Sequence, residues 1–143
     1  MANICILGGT GMLGTSLVPR LRYLGHNVVC FSRQSKDGEN VVVDFADDNS
    51  LERALEACNP SFVINLAALT NVDECEKKPH LAFSTNVRIV EILSSWIMRN
   101  ANCHLIQIST DHVYDGAGPH TEDKVKILNY YAFSKYSGEL AAS

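Results

Sequence analysis

Leu7-Gly8-Gly9-Thr10-Gly11-Met12-Leu13-Gly14-Thr15-Ser16 is the stretch that decides how this chain folds. A short apolar run, Asn3–Leu7, enters glycines at G-x-x-G-x-x-G spacing, and an amphipathic stretch from Met12 to Leu24 leaves them. A strand that turns through glycines into a helix aims backbone N–H groups and the positive end of the helix dipole at one spot. A pyrophosphate suits that spot, because a Cβ would block both the tight turn and the close approach of the anion. Gly8, Thr10, Gly11, Met12, Leu13 and Gly14 are the expected cofactor contacts there. A mononucleotide phosphate loop is the rival, since Gly9 and Gly14 have G-x-x-x-x-G spacing, but that loop next needs a lysine and Thr15-Ser16 follow instead. A glycine turn that only lets a helix pack close to a sheet is the structural alternative.

Outward from this turn, apolar runs and amphipathic stretches alternate. Asn27–Ser32, Asn40–Val43, Ser61–Leu66 and Cys103–Ile108 read as further strands. Ser50–Cys58 reads as a helix capped by Ser50, Leu81–Met98 as a long helix with apolar residues at 83, 87, 90, 93 and 97, and Tyr130–Ala142 as the last helix. A polar loop containing Gly and Pro precedes that helix. Strands alternating with helices imply parallel pairing through right-handed crossovers. The expected fold is α/β, a Rossmann-like doubly wound parallel sheet of strand order 3-2-1-4-5, with residues 1–143 as a single domain. Pro19 conflicts with the first helix, where it should cost ~3 kcal/mol or force a kink. The last helix stops at Ser143 with no capping glycine, which reads as a cut through a longer chain.

Composition narrows the function classes. The chain has 143 residues, 46% hydrophobic and 20% charged, with a formal net charge of −4. A chain this long buries ~68–70% of its unfolded surface and can own a core. Mild acidity argues against a sequence-independent grip on nucleic acid. No apolar run approaches the ~20 residues of a membrane span, and no charged leader with a long apolar run opens the chain. The five cysteines form no C-x-x-C pair, and those in apolar runs behave as small hydrophobes, so a reduced cytoplasm is the expected setting. The histidines lack i, i+4 pairing and Cys/His ligand spacing, so no metal is implied. Asp73-Glu74-Cys75-Glu76 reads as a solvated loop.

The second strand ends in Ser32-Arg33, where dinucleotide folds usually carry an acid for the adenosine ribose. A guanidinium suits a 2′-phosphate, so NADP is expected, with NAD as the alternative. Asp44, after the third strand, is placed to reach the adenine edge.

Tyr131-Ala132-Phe133-Ser134-Lys135 has Y-x-x-x-K spacing on a predicted helix, which puts both side chains on one face. A free phenol ionises near pH ~10 and is a poor acid–base group; a neighbouring ammonium stabilises the phenolate. Upstream, the run Leu105–Ile108 leads into Ser109-Thr110-Asp111-His112-Val113-Tyr114-Asp115-Gly116. Together with the glycine turn, Asn65-Leu66-Ala67-Ala68 and Asn86-Val87, these motifs run the whole length of the chain. In them the sequence resembles the extended short-chain dehydrogenase/reductase family, and the Ser109–Gly116 and Asn65–Asp73 segments look most like its dTDP-4-dehydrorhamnose reductase branch.

The resemblance implies NADPH-dependent reduction of a 4-keto sugar nucleotide. Tyr131 would give a proton to the keto oxygen, Lys135 would hold the nicotinamide ribose and ease ionisation of the phenol, and Thr110 would hydrogen-bond the substrate oxygen. Phe45, Ala67, Ala68, Leu69 and Asn86 join the implied cofactor contacts, and Val72, Asp73 and Asp111 join Thr110 at the substrate. Related dehydratases carry Thr-Asp-Glu where this chain has Thr110-Asp111-His112, so elimination is disfavoured and His112 reads as a wall residue. An epimerase outcome and a non-catalytic NADP-binding regulatory module stay open. Family members continue into a region that caps the sugar nucleotide, so this chain is expected to stop before it and to be incomplete for turnover without it. Its uncovered sheet edge then favours a homodimer.

Overall fold

Val, Ile, Leu, Phe and Cys fill the predicted strands, as sheets covered on both faces require. The computed structural model describes residues 1–34, 40–45 and 47–143. In it β1 (Asn3–Leu7), β2 (Asn27–Ser32), β3 (Asn40–Val42), β4 (Phe62–Asn65) and β5 (His104–Gln107) form one parallel sheet in the order β3-β2-β1-β4-β5. The expected α/β fold and strand order are both present. The register aligns Leu7 with Phe31 and Asn65, and Asn65 with Gln107, so these strands end in one row. The chain gathers into two compact units: Met1–Ala67 with Ile92–Ile108, and Ala68–Glu91 with Ser109–Ser143.

The first unit is built around the sheet. Ile4, Ile6, Val28, Cys30 and Ile64 form one apolar layer with Val18 of α1 (Met12–Tyr23), and Leu17 and Leu21 pack against it. Cys5 and Leu7 alternate with Ile4 and Ile6 and are fully buried on the opposite face. Pro19 lies inside α1, which runs through it; the proline and Thr15, whose carbonyl loses its partner there, are both exposed to water. α2 (Asp48–Cys58) starts two residues before the predicted cap. Asp47, and not Ser50, accepts the Asn49 N–H at 3.1 Å, because a carboxylate just ahead of the first turn is the stronger cap.

The second unit contains α3 (Val72–Lys77), α4 (Pro79–Phe83), a π turn (Ser84–Arg88), the start of α5 (Ile89–Arg99), a 3₁₀ turn (Asp111–Val113) and α6 (Tyr130–Ala142). α3 corrects the reading of residues 73–76 as a solvated loop. Asn71 caps it by accepting the Glu74 N–H at 2.9 Å, and Cys75 is fully buried with Ala82 and Tyr131. The long helix read over Leu81–Met98 also differs. It opens at Pro79 and is interrupted by the π turn, whose extra residue rotates the later turns by about 100°. Phe83, expected inside, is therefore 43% exposed, while Ala82 and Asn86 face inward. Among the described residues, no helix is long and apolar enough to cross a membrane.

Candidate functional site

In the first unit the glycine turn is held by what its Cβ atoms would strike. Gly8 has φ +77°, and a Cβ on it would lie 2.9 Å from the Ala67 nitrogen; one on Gly14 would lie 2.3 Å from the Gly9 carbonyl oxygen. The turn thus lies close against the chain that continues from β4, and α1 starts hard against its first residues. Gly11 N-caps α1 without any side-chain cap, and the first turn carries no acid. Thr10, Gly11, Met12 and Leu13 are exposed there. A helix start with neither capping hydroxyl nor carboxylate, approached by a glycine turn, is the donor set an anion needs.

Beside it a cavity of about 380 Å³ is lined by Thr10, Ser32, Arg33 and Gln34. Arg33 is exposed, while the Ser32 hydroxyl donates to the Gln34 carbonyl at 2.6 Å and so shapes the loop. Asp44 is exposed and Phe45 is 8% exposed. Asn65, which the sequence reading did not single out as a site residue, fixes the ends of β4 and β5. Its amide donates to Gln107 Oε1 at 2.8 Å and its carbonyl accepts the Ala67 N–H at 3.1 Å. The signal for it was an amide ending the apolar run Phe62–Ile64, since a buried Asn must find partners.

In the second unit α6 carries Tyr131, Ser134, Lys135 and Glu139. Asn129 starts it, accepting the Ala132 N–H at 2.8 Å. Tyr131 is 8% exposed and Lys135 4%, one turn apart on the same face. Burial pushes the Lys135 ammonium below its ordinary value, and the Glu139 carboxylate opposes that. The Glu139 carboxylate also accepts a hydrogen bond from Ser109 Oγ. Thr110 caps the 3₁₀ turn, its Oγ1 accepting the His112 N–H at 3.2 Å and lying 3.4 Å from Asp111 Oδ1. The His112 ring meets the Tyr131 ring edge-on, centroids 5.4 Å apart. Val72 packs against the cluster that includes Tyr131, while Asp73 and Asp111 stay exposed.

Asn86 has a different place from the one expected. It is 1% exposed, and its side chain binds Leu69 at both ends, accepting the N–H at 2.8 Å and donating to the carbonyl at 3.0 Å. Its amide also donates to Ser134 Oγ at 2.9 Å. Those contacts occupy the amide's donors, so Asn86 positions the 69 segment and α6, and the Leu69 side chain packs against the cluster of Cys75, Ala82 and Tyr131. Ala68 is half-buried. Ser134, Ser109 and Glu139 were not anticipated as site residues; the four-residue rhythm 131, 135, 139 was the available signal for the last.

A parallel sheet of this order, a glycine turn leaving β1, and a buried Tyr/Lys pair on a later helix define an α/β domain of Rossmann type. The family model described as the RmlD substrate binding domain matches residues 1–143, and the chain belongs to that family. A dTDP-4-dehydrorhamnose reductase of Aggregatibacter actinomycetemcomitans is 33% identical over 97% of this chain and 46% of its own. The chain thus spans about half the length of the curated relatives it matches. The crystal structure of a hypothetical dTDP-4-dehydrorhamnose reductase from Sulfolobus tokodaii superposes with TM-score 0.88 at 31% identity, covering 99% of this chain and 52% of that one. A dTDP-4-dehydrorhamnose reductase from Bacillus anthracis, solved in complex with NADP, gives 0.84 at 25% identity, covering 99% and 49%.

Proposed function

We propose that this chain binds NADPH and serves the reduction of a 4-keto sugar nucleotide of the dTDP-4-dehydrorhamnose kind. The observation that carries the reading is Lys135, an ammonium at 4% exposure one turn from Tyr131. Burying a lysine there lowers stability, so its presence is accounted for by chemistry. The glycine turn and the bare start of α1 fit a pyrophosphate, and Arg33 at the rim of its cavity fits a 2′-phosphate. When bound, the reduced nicotinamide supplies hydride to the carbonyl carbon. Tyr131 Oη gives its proton to the carbonyl oxygen, which becomes the hydroxyl, and Lys135 stabilises the phenolate left behind. The Thr110 hydroxyl accepts from the His112 amide and donates to Asp111 Oδ1 over a long 3.4 Å, a bond that it exchanges for one to the same oxygen when substrate is present.

Calorimetric titration with NADPH and NADH separates binding from turnover. NADPH binds about tenfold or more tightly than NADH, the worth of a charge-assisted contact to phosphate, and Arg33→Ala closes that gap. Absence of binding by either nucleotide would falsify the reading and leave the glycine turn as architecture. With dTDP-4-dehydrorhamnose and NADPH, Tyr131→Phe keeps cofactor affinity and lowers the rate of nicotinamide oxidation by about 10²-fold or more. Binding of NADPH with no such reduction upholds the cofactor half and leaves two readings of the rest, a regulatory module or turnover that needs the region capping the sugar nucleotide.

A further inference from the structure

Tyr131, Lys135 and Glu139 recur every four residues along α6, and only the first two have a role in the reduction proposed above. Glu139 is the carboxylate that acts on the buried Lys135, and it is itself held by the hydroxyl of Ser109. Ser109 directly precedes Thr110 in the chain. Glu139 therefore stands on the helix that carries the ammonium, one turn beyond it, and its side chain is bonded to the residue next to the substrate-binding hydroxyl. We propose that Glu139 is a positioning residue of this site, its carboxylate supplying the counter-charge for Lys135 and, through Ser109, tying the Thr110 segment to α6. The proposal rests on the reading of Tyr131, Lys135 and Thr110 as the reacting constellation.

Physical chemistry favours this division of labour. An isolated ammonium in the interior tends to give up its proton, and a neutral amine cannot stabilise a phenolate. A carboxylate one helical turn away offsets that tendency, and does so best when its own position is fixed. The other ionisable groups on the elements packed against α6 are engaged elsewhere or turned elsewhere. Arg88 of the π turn pairs with Glu91 at 3.0 Å, Glu76 of α3 accepts the Tyr130 N–H at 2.6 Å, and Glu74 pairs with Lys78 at 3.0 Å. Cys75 of α3 is a buried thiol beside Tyr131, and His112 lies against the Tyr131 ring. Asp111 lies near the Thr110 hydroxyl, while Asp73, Lys77 and His80 are exposed.

The test is a carbon-13 NMR titration of the lysine ε-carbons in the whole chain, which requires neither cofactor nor substrate. In Glu139→Gln the amide oxygen can still accept from Ser109, so the fold is kept while the charge is lost. Lys135 then titrates at lower pH than in the unaltered chain, and Glu91→Gln, which removes a carboxylate already paired with Arg88, leaves it unmoved. Ser109→Ala keeps the charge but releases it, so Lys135 moves the same way by less and the Thr110 amide resonance shifts. A Lys135 titration that is the same in the unaltered chain, Glu139→Gln and Ser109→Ala overturns the proposal. A Lys135 that responds in a chain binding no nicotinamide nucleotide upholds the coupling and overturns the reduction; an unresponsive Lys135 in an active reductase does the reverse.

Discussion

Lys135 carries a charge into a place where water scarcely reaches it, and that has a measurable consequence for stability. Its folded-state value lies below its unfolded one, with burial as the larger cause and Glu139 opposing. Between those two values the unfolded chain binds more protons than the folded one, so stability rises with pH across that window. Below the window the full penalty is present; above the ordinary lysine value, near pH ~10.4, it is gone. Lys135→Met is expected to raise stability at neutral pH, because it removes the desolvation cost of the ammonium while the partly exposed Glu139 keeps its bond from Ser109. Urea unfolding of both proteins checks this. The advantage of the variant shrinks as pH climbs towards the lysine range, and a gap that stays constant with pH counts against it.

At the scale of elements, α6 is held by close backbone packing. A Cβ on Gly138 would lie 2.4 Å from the backbone oxygen of Asn86, in the π turn. Gly138→Ala brings two opposing effects: alanine favours a helix over glycine by about 1 kcal/mol, whereas forcing a methyl into a backbone carbonyl costs about 1–3 kcal/mol. The clash wins, because a carbonyl in a helical turn cannot swing aside as a side-chain end can. We expect a net loss of at most about 2 kcal/mol in denaturant unfolding, and a variant as stable as the unaltered chain overturns this. The sequence predicts α6 with its true limits but one unbroken helix over Leu81–Met98, where the structure has a π turn between two α-helices. Periodicity reports which residues share a face only while the helix keeps one pitch, and the π turn changes the pitch at Asn86. Residues 73–76 went unread as a helix for a related reason. A six-residue helix is too short to show a period, and its one buried side chain, Cys75, meets partners elsewhere in the chain.

At the scale of the whole molecule, the sheet ends in strands that carry apolar residues. Ile106 on β5 is 42% exposed, and Val41 and Val42 on β3 are 43% and 56%. Strand edges with exposed apolar side chains invite pairing with another copy. The chain is therefore expected to self-associate at high concentration, and Ile106→Lys, which puts a charge on the β5 edge, is expected to shift it towards monomer. Sedimentation equilibrium decides the matter: an unaltered chain that stays monomeric at every concentration tested removes the prediction.

Much of this protein is written in short-range rules. The period of apolar residues, the spacing of Gly8, Gly11 and Gly14, and the four-residue step from Tyr131 to Lys135 determined the parallel sheet, the tight turn that leaves β1 and the helix face that Tyr131 and Lys135 share. Each of those rules acts over a few residues, so each is visible in a line of sequence. Which polar atoms meet was decided by the tertiary structure alone. Asn65 finds Gln107 42 residues away, Asn86 finds Leu69 17 and Ser134 48 residues away, and Ser109 finds Glu139 30 residues away. Such pairs depend on how distant segments are brought side by side, and no local pattern encodes them. The burial of Lys135 is of the same kind, because helix spacing says which way a side chain points and only packing says whether water is there to meet it.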